Sequence, residues 1–169
     1  MVTCTRTLHR PTWILLVVAA FGLAALAFLT GCTPEANAEN KTYSGINAIR
    51  TQGGLPPLQV DPGLVSVARV RSQDMAAKNY FSHDPPDGCN FVCIMDRLGV
   101  PHSWAGENIA WNNWEWSQTA DMAVKMWRGS PPHMENIMNC HYTSFGTGVA
   151  KAADGKIYYT MVFNGNVAC

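Results

Sequence analysis

The segment that most limits what this chain can fold into lies near its C-terminus, where residues 147–152 and 156–163 flank Ala153-Asp154-Gly155. Asp-Gly between two such runs is a strong hairpin signal, because glycine accepts the positive φ of a tight turn. In the second run Ile157, Tyr159, Met161 and Phe163 alternate with Tyr158, Thr160 and Val162, and both sets are largely apolar. A half-solvated strand would keep one polar face, so this strand needs cover on both sides. The remainder of the chain offers helices to supply it. Residues 42–52 carry Tyr43, Ile46 and Ile49 at spacing three and stop at Gly53-Gly54. Asp61-Pro62 opens the clearest helix, an N-cap carboxylate followed by proline in the first turn. Leu64, Val67, Ala68, Arg71 and Met75 share one face of that helix, which runs to about Asn79. Shorter helices are expected over 93–98, 117–128 and 130–139, with Trp116, Ala120, Ala123 and Trp127 forming a stripe on the middle one. Residues 55–58 read as an extended connector and 103–110 as a third strand. The expectation is an α+β domain: a three-layer α–β–α sandwich around a small, largely antiparallel central sheet.

The N-terminal residues read as an address. Arg6, His9 and Arg10 precede an apolar run over 13–29 that ends in Leu29-Thr30-Gly31-Cys32. That ending resembles the lipobox of bacterial lipoproteins, in which cleavage precedes a cysteine that then carries a diacylglycerol. The rival reading is an uncleaved membrane anchor, since a run of about 17 residues is at the lower limit for spanning. Either places the rest of the chain outside the cytoplasm, tied to a membrane. The expected organisation is a signal peptide over 1–31, a tether with the lipidated Cys32 over 32–41, and one domain over 42–169. All 12 acidic residues follow Cys32, and with Arg6 and Arg10 removed they outnumber the basic ones. With no basic stripe, nucleic acid is excluded as a partner.

Cys89, Cys93, Cys140 and Cys169 remain beyond Cys32, an even number in an oxidising space. Four cysteines allow three pairings. Cys89–Cys93 and Cys140–Cys169 are favoured, because the first closes a short loop and the second would pin the C-terminus. A four-thiolate metal site is the competitor, and the chain lacks the CxxC pair it would need.

Chemistry concentrates in three islands: Phe81-Ser82-His83, Gly106-Glu107-Asn108-Ile109-Ala110 and Ser130-Pro131-Pro132-His133. Two imidazoles and a carboxylate suit a zinc or proton-transfer site, and only the fold can bring such separated positions together. The islands and their order resemble the CAP superfamily, the SCP-like domain, in its bacterial extracytoplasmic branch. The resemblance spans residues 47–163. It includes Asn47-Ala48-Ile49-Arg50, Gly54-Leu55-Pro56-Pro57-Leu58, Asp61, Tyr80, Trp127 and Gly146-Thr147-Gly148-Val149. It implies an α–β–α sandwich whose cleft is lined by His83, Glu107 and His133, with several relatives holding a divalent metal there. The glutamate that eukaryotic relatives carry three residues after the helix tryptophan is Ser130 here, leaving a triad.

Each candidate has a structural alternative. His83 and His133 would ligate zinc or another divalent cation, or would simply be hydrogen-bonded residues lining a polar cleft. Glu107 would orient a ligand or bound water, or be a buried carboxylate satisfied by backbone amides of a turn; it is also the candidate general base. Ser130 before proline is explained by helix capping rather than nucleophilic chemistry. Trp111, Asn112, Asn113 and Trp114 follow directly and suit stacking on sugar rings, and equally a membrane interface or a partner, while Trp104 and Trp116 are assigned to the core. The expected function is a lipid-anchored module that holds a divalent metal and contacts a cell-envelope ligand, a glycan in preference to a lipid. The alternatives are a zinc-assisted hydrolase of peptide or peptidoglycan and a structural or adhesive protein with a vestigial cleft.

Overall fold

A computed structural model describes residues 33–169. The chain order is α1 (Pro34–Gln52), β1 (Gln59–Val60), α2 (Pro62–Lys78), α3 (Phe91–Arg97) and β2 (Trp104–Asn112). There follow α4 (Thr119–Arg128), α5 (Pro131–Ile137), β3 (Ser144–Lys151) and β4 (Ile157–Gly165). The sheet runs β1-β3-β4-β2; β4 is antiparallel to both neighbours, and β1 pairs parallel to β3 over two residues. The architecture is the expected mixed α+β sandwich.

The two-sided apolar strand explains the layers. Ile157, Tyr159, Met161 and Phe163 enter a core built with α1, α4 and α5. On the other face Val162 joins Leu64, Val67 and Ala68 of α2 with Ile94 and Met95 of α3. Tyr158 packs with Met75 and Ile109 on that same side. Thr160 is buried too, and its hydroxyl accepts from Ser72 Oγ at 2.9 Å.

Helix α2 starts as its sequence dictates. Asp61 is extended (φ −107°, ψ 121°) and its carboxylate accepts from Leu64 N, with Pro62 in the first turn. The helix then lies flush on β3, because a Cβ at Gly146 would collide with the Leu64–Val65 backbone and one at Gly148 with Ala68–Arg69. Close approach is what the Gly-Thr-Gly stretch provides.

Two elements differ from expectation. Helix α1 begins at Pro34, so residues 34–41, expected as tether, are folded. Ala38 is buried, and the equally buried Glu39 receives a bidentate bond from Arg69 Nε and Nη2 at 2.9 and 2.6 Å. Strand β1, which follows the expected 55–58 connector and is itself not anticipated, is two exposed residues held by Gln59 N→Thr143 O and Asp61 N→Phe145 O bonds. A strand that short has no periodicity to detect. The Cys89–Cys93 and Cys140–Cys169 bridges are both present. The expected signal peptide and the lipidation position Cys32 lie outside the described residues.

Candidate functional site

Glu107 sits in β2, not in a turn, and its side chain is fully buried. Alternation along the strand turns it toward α2, whose Arg71 is equally buried. Arg71 Nε donates to Glu107 Oε1 at 2.8 Å. The same guanidinium donates through Nη1 to the Tyr80 hydroxyl and through Nη2 to Ser82 O, both at 2.7 Å. It therefore fixes the carboxylate and the 80–83 loop together. The Tyr80 hydroxyl in turn donates to Asp74 Oδ2 at 2.6 Å, and burial pushes its phenol up to about 12.

The other carboxylate oxygen, Oε2, lies 2.7 Å from His83 Nδ1. A carboxylate oxygen accepts here, so Nδ1 carries a proton, and in the neutral form of the ring Nε2 is the nitrogen with the lone pair. The imidazole is half-exposed. Glu107 is thus satisfied by Arg71 and His83 rather than by backbone amides.

His133 is the third residue of α5. Neighbouring amides tie the α5 backbone to β2: Asn108 Nδ2 donates to His133 O at 3.0 Å, and Asn136 Nδ2 to Asn108 Oδ1 at 2.8 Å. Gly106 leaves room for this contact, since a Cβ there would strike the Tyr142 hydroxyl and come within 2.8 Å of Asn136 Oδ1. His133 Nδ1 is buried without a hydrogen-bond partner. Burial, and secondarily the nearby His83, holds the His133 imidazole below the usual histidine range, so it is neutral. His83 lies near enough to His133 for its charge to act on that ring, and Glu107 is bonded to His83. Among the described residues, the one trio of His, Cys, Asp or Glu whose ligand atoms all lie within 4.8 Å of one another is elsewhere, at Cys140, His141 and Cys169. Its two sulfurs are bonded to each other and hold no thiolate for a metal.

Three assignments change. Asn112 is buried, its amide donating to Thr119 O at 3.0 Å while its carbonyl accepts from Thr119 Oγ1 at 2.6 Å and from Trp114 N. It organises the entry to α4 and is not available to a ligand, whereas Trp111, Asn113 and Trp114 are exposed. Trp104 is half-exposed and stacks on His141 with ring centroids 4.0 Å apart, because it opens an edge strand at the rim of the sheet. Ser130 occupies the N-cap position with extended backbone, but its hydroxyl makes no capping bond. Trp116 meets expectation by packing against the α1–α4–α5 core, as does Trp127, whose Nε1 donates to Ile109 O at 3.0 Å.

Arg71 is the site residue that pattern reading missed. It was legible as an oddity: an arginine on the apolar face of α2, between Ala68 and Met75, needs a buried acid to pair with.

The model of the cysteine-rich secretory protein family, CAP, matches residues 43–163. Bacillus subtilis YkwD is 39% identical over 114 residues, which is 68% of this chain and 43% of YkwD. An extracellular protein containing a SCP domain from Bacillus anthracis superposes with a TM-score of 0.68 at 31% identity, covering 78% of this chain and 41% of that one. This chain thus spans less than half the length of either relative. NaASP2, whose structure was determined with Zn2+, shares the fold at 16% identity and a TM-score of 0.55, over 80% of this chain and 88% of its own. With more than half of its residues covered by the family model, this chain belongs to the cysteine-rich secretory protein (CAP) family.

Proposed function

We propose that this domain is an extracytoplasmic binding module that takes a divalent cation, zinc foremost, between His83 and His133 and presents Trp111 and Trp114 to a cell-envelope glycan. The observation that carries the cation is the buried, unpartnered Nδ1 of a histidine kept neutral by its surroundings. Such an atom is costly unless something bonds it. A metal-ligating imidazole commonly donates its other nitrogen to a carboxylate, and His83 donates to Glu107 in that way. NaASP2, of the same fold, was solved with Zn2+.

A bound cation would polarise an oxygen of the ligand. The chain's own residues do the rest: Arg71 fixes Glu107, Glu107 fixes the His83 tautomer, and the Asn108–Asn136 pair holds α5 against β2. Two imidazoles leave coordination positions for ligand atoms, which suits binding. Hydrolysis fits less well, because a general base must be free to accept a proton and both oxygens of Glu107 are engaged. An anchor at Cys32 would keep the module at a membrane; it rests on the Leu29-Thr30-Gly31-Cys32 sequence. No helix among the described residues is long and apolar enough to cross a membrane.

Calorimetric zinc titration of residues 33–169 tests the reading. Micromolar binding, about −8 kcal/mol, that disappears in a His83→Ala/His133→Ala variant is the expected result. Equal heats from the two proteins would remove the cation. Retention on isolated cell wall that is unchanged by Trp111→Ala/Trp114→Ala would remove the glycan face.

A further inference from the structure

The two disulfides differ in their surroundings. Cys89 is buried, 7% exposed, in the core that α2 shares with α3. Cys140 and Cys169 are both exposed, one just after α5 and the other beyond β4. An exposed bridge is the one a dithiol can reach, and exposed bridges are the labile or regulatory ones.

An imidazole stands beside that bridge. A ring nitrogen of His141 and the sulfurs of Cys140 and Cys169 all lie within 4.8 Å of one another. The ring is held twice. It stacks on Trp104 with centroids 4.0 Å apart and planes 2° off parallel, and its Nδ1 donates to Val167 O at 2.7 Å. In the neutral ring Nε2 then keeps the lone pair, and a bond from the other nitrogen to a backbone carbonyl is the usual support of a metal-ligating histidine.

With its sulfurs bonded together the trio takes no metal. Reduction turns it into two thiols and an imidazole, a soft set that suits zinc. The step balances with a protein dithiol as reductant. The dithiol gives up two electrons and two protons and closes its own disulfide, while the Cys140–Cys169 bond breaks and each sulfur gains a proton. Zinc then takes the place of those two protons, which pass to solvent. Two thiolates on a tetrahedral zinc stand about 3.7 Å apart, against about 2 Å in a disulfide, so one sulfur has to move. The Cys169 side permits it. Residues 166–169 are all exposed, and among the described residues their links to the rest of the domain are the bridge and the His141–Val167 bond.

We propose that Cys140, His141 and Cys169 form a redox-gated zinc site, a disulfide when oxidised and a three-ligand zinc site when reduced. The tail beyond β4 is then fastened in both states. The site is independent of the cation proposed for His83 and His133. The test is anaerobic cobalt titration, cobalt standing in for zinc, of the full chain in phosphocholine micelles with Cys4 and Cys32 replaced by serine. Thiolate on cobalt gives a charge-transfer band in the near ultraviolet; imidazoles and carboxylates do not, so the cleft cannot mimic it. After reduction by a dithiol and its removal, a band that saturates at one equivalent and is displaced by zinc is expected. The oxidised protein should give none. The band should vanish in Cys140→Ser/Cys169→Ser and need at least about tenfold more cobalt in His141→Gln. Zinc at about a hundredfold excess over its Kd should also raise the urea midpoint of the reduced His83→Ala/His133→Ala protein by about 1 M, which thiols of an unfolded chain would not do. The proposal is overturned if the reduced protein gives no band, or if the band survives Cys140→Ser/Cys169→Ser. It is equally overturned if His141→Gln binds as tightly, or if zinc leaves that midpoint unmoved.

Discussion

Replacing Arg71 by methionine removes the donor that organises the candidate cleft while keeping much of the side chain's volume. The guanidinium makes close bonds to Glu107 Oε1, the Tyr80 hydroxyl and Ser82 O, and neither Arg71 nor Glu107 has solvent to fall back on. Breaking a buried ion pair from one side costs about 3–5 kcal/mol, because the remaining charge stays buried. With a urea slope of about 2 kcal/mol/M for a domain of this size, the unfolding midpoint should drop by about 2 M. Glu107→Gln added to Arg71→Met removes the stranded charge, and the double variant should recover at least about 2 kcal/mol relative to additivity. The assay is urea denaturation followed by circular dichroism, with both disulfides intact. A loss below about 1 kcal/mol for Arg71→Met, or strict additivity in the double variant, would refute the reasoning. Either outcome would mean that Glu107 is held by something other than this pair.

Asp61→Ala removes the acceptor for Leu64 N at the start of α2 and should cost about 1 kcal/mol, or roughly 3–5 °C in Tm by calorimetry. Gly148→Ala forces a Cβ into the Ala68–Arg69 backbone and should cost at least about 2 kcal/mol, read from the same urea curves; a neutral result would show that α2 can lift off β3. His133 is neutral in the folded state, whereas the unfolded chain protonates it near the ordinary value of 6.5. Its contribution is therefore fully present above that value and is lost as pH falls from about 6.5 toward the lower folded value. The drop in urea midpoint between pH 7 and pH 5 should be smaller in His133→Gln than in the parent.

Legibility followed periodicity. Strand β4 declared both its faces, and with them the layer order, because seven consecutive residues alternate without a polar side. Asp61-Pro62 announced α2 through a capping interaction local to three residues, which no tertiary contact needed to complete. The front of α1 was missed because its evidence is tertiary: Glu39 is buried only through Arg69, thirty residues away. It still left a trace in Pro34 at the first helical position, Glu35 in the first turn, and Ala38 and Thr42 four residues apart. At the site, His83, Glu107 and His133 could be named from the chain, but the arginine behind them could not be assigned a partner. Asn112 and Trp104 went wrong in opposite directions for one reason. Burial at strand ends is decided by what packs over the edge: Thr119 covers Asn112, while Trp104 opens β2 at the free rim. Composition does not encode that.

The central claim, that His83 and His133 jointly hold a cation with Glu107 behind them, is tested most directly by anomalous diffraction at the zinc edge from zinc-soaked crystals of residues 33–169. The account predicts a peak bonded to His83 Nε2 and to a His133 ring nitrogen, each at about 2.0–2.1 Å, with Glu107 still on Arg71 and His83 Nδ1. A peak at His141 alone, no peak between His83 and His133, or a Glu107 carboxylate that has left Arg71 to bind the metal would contradict it.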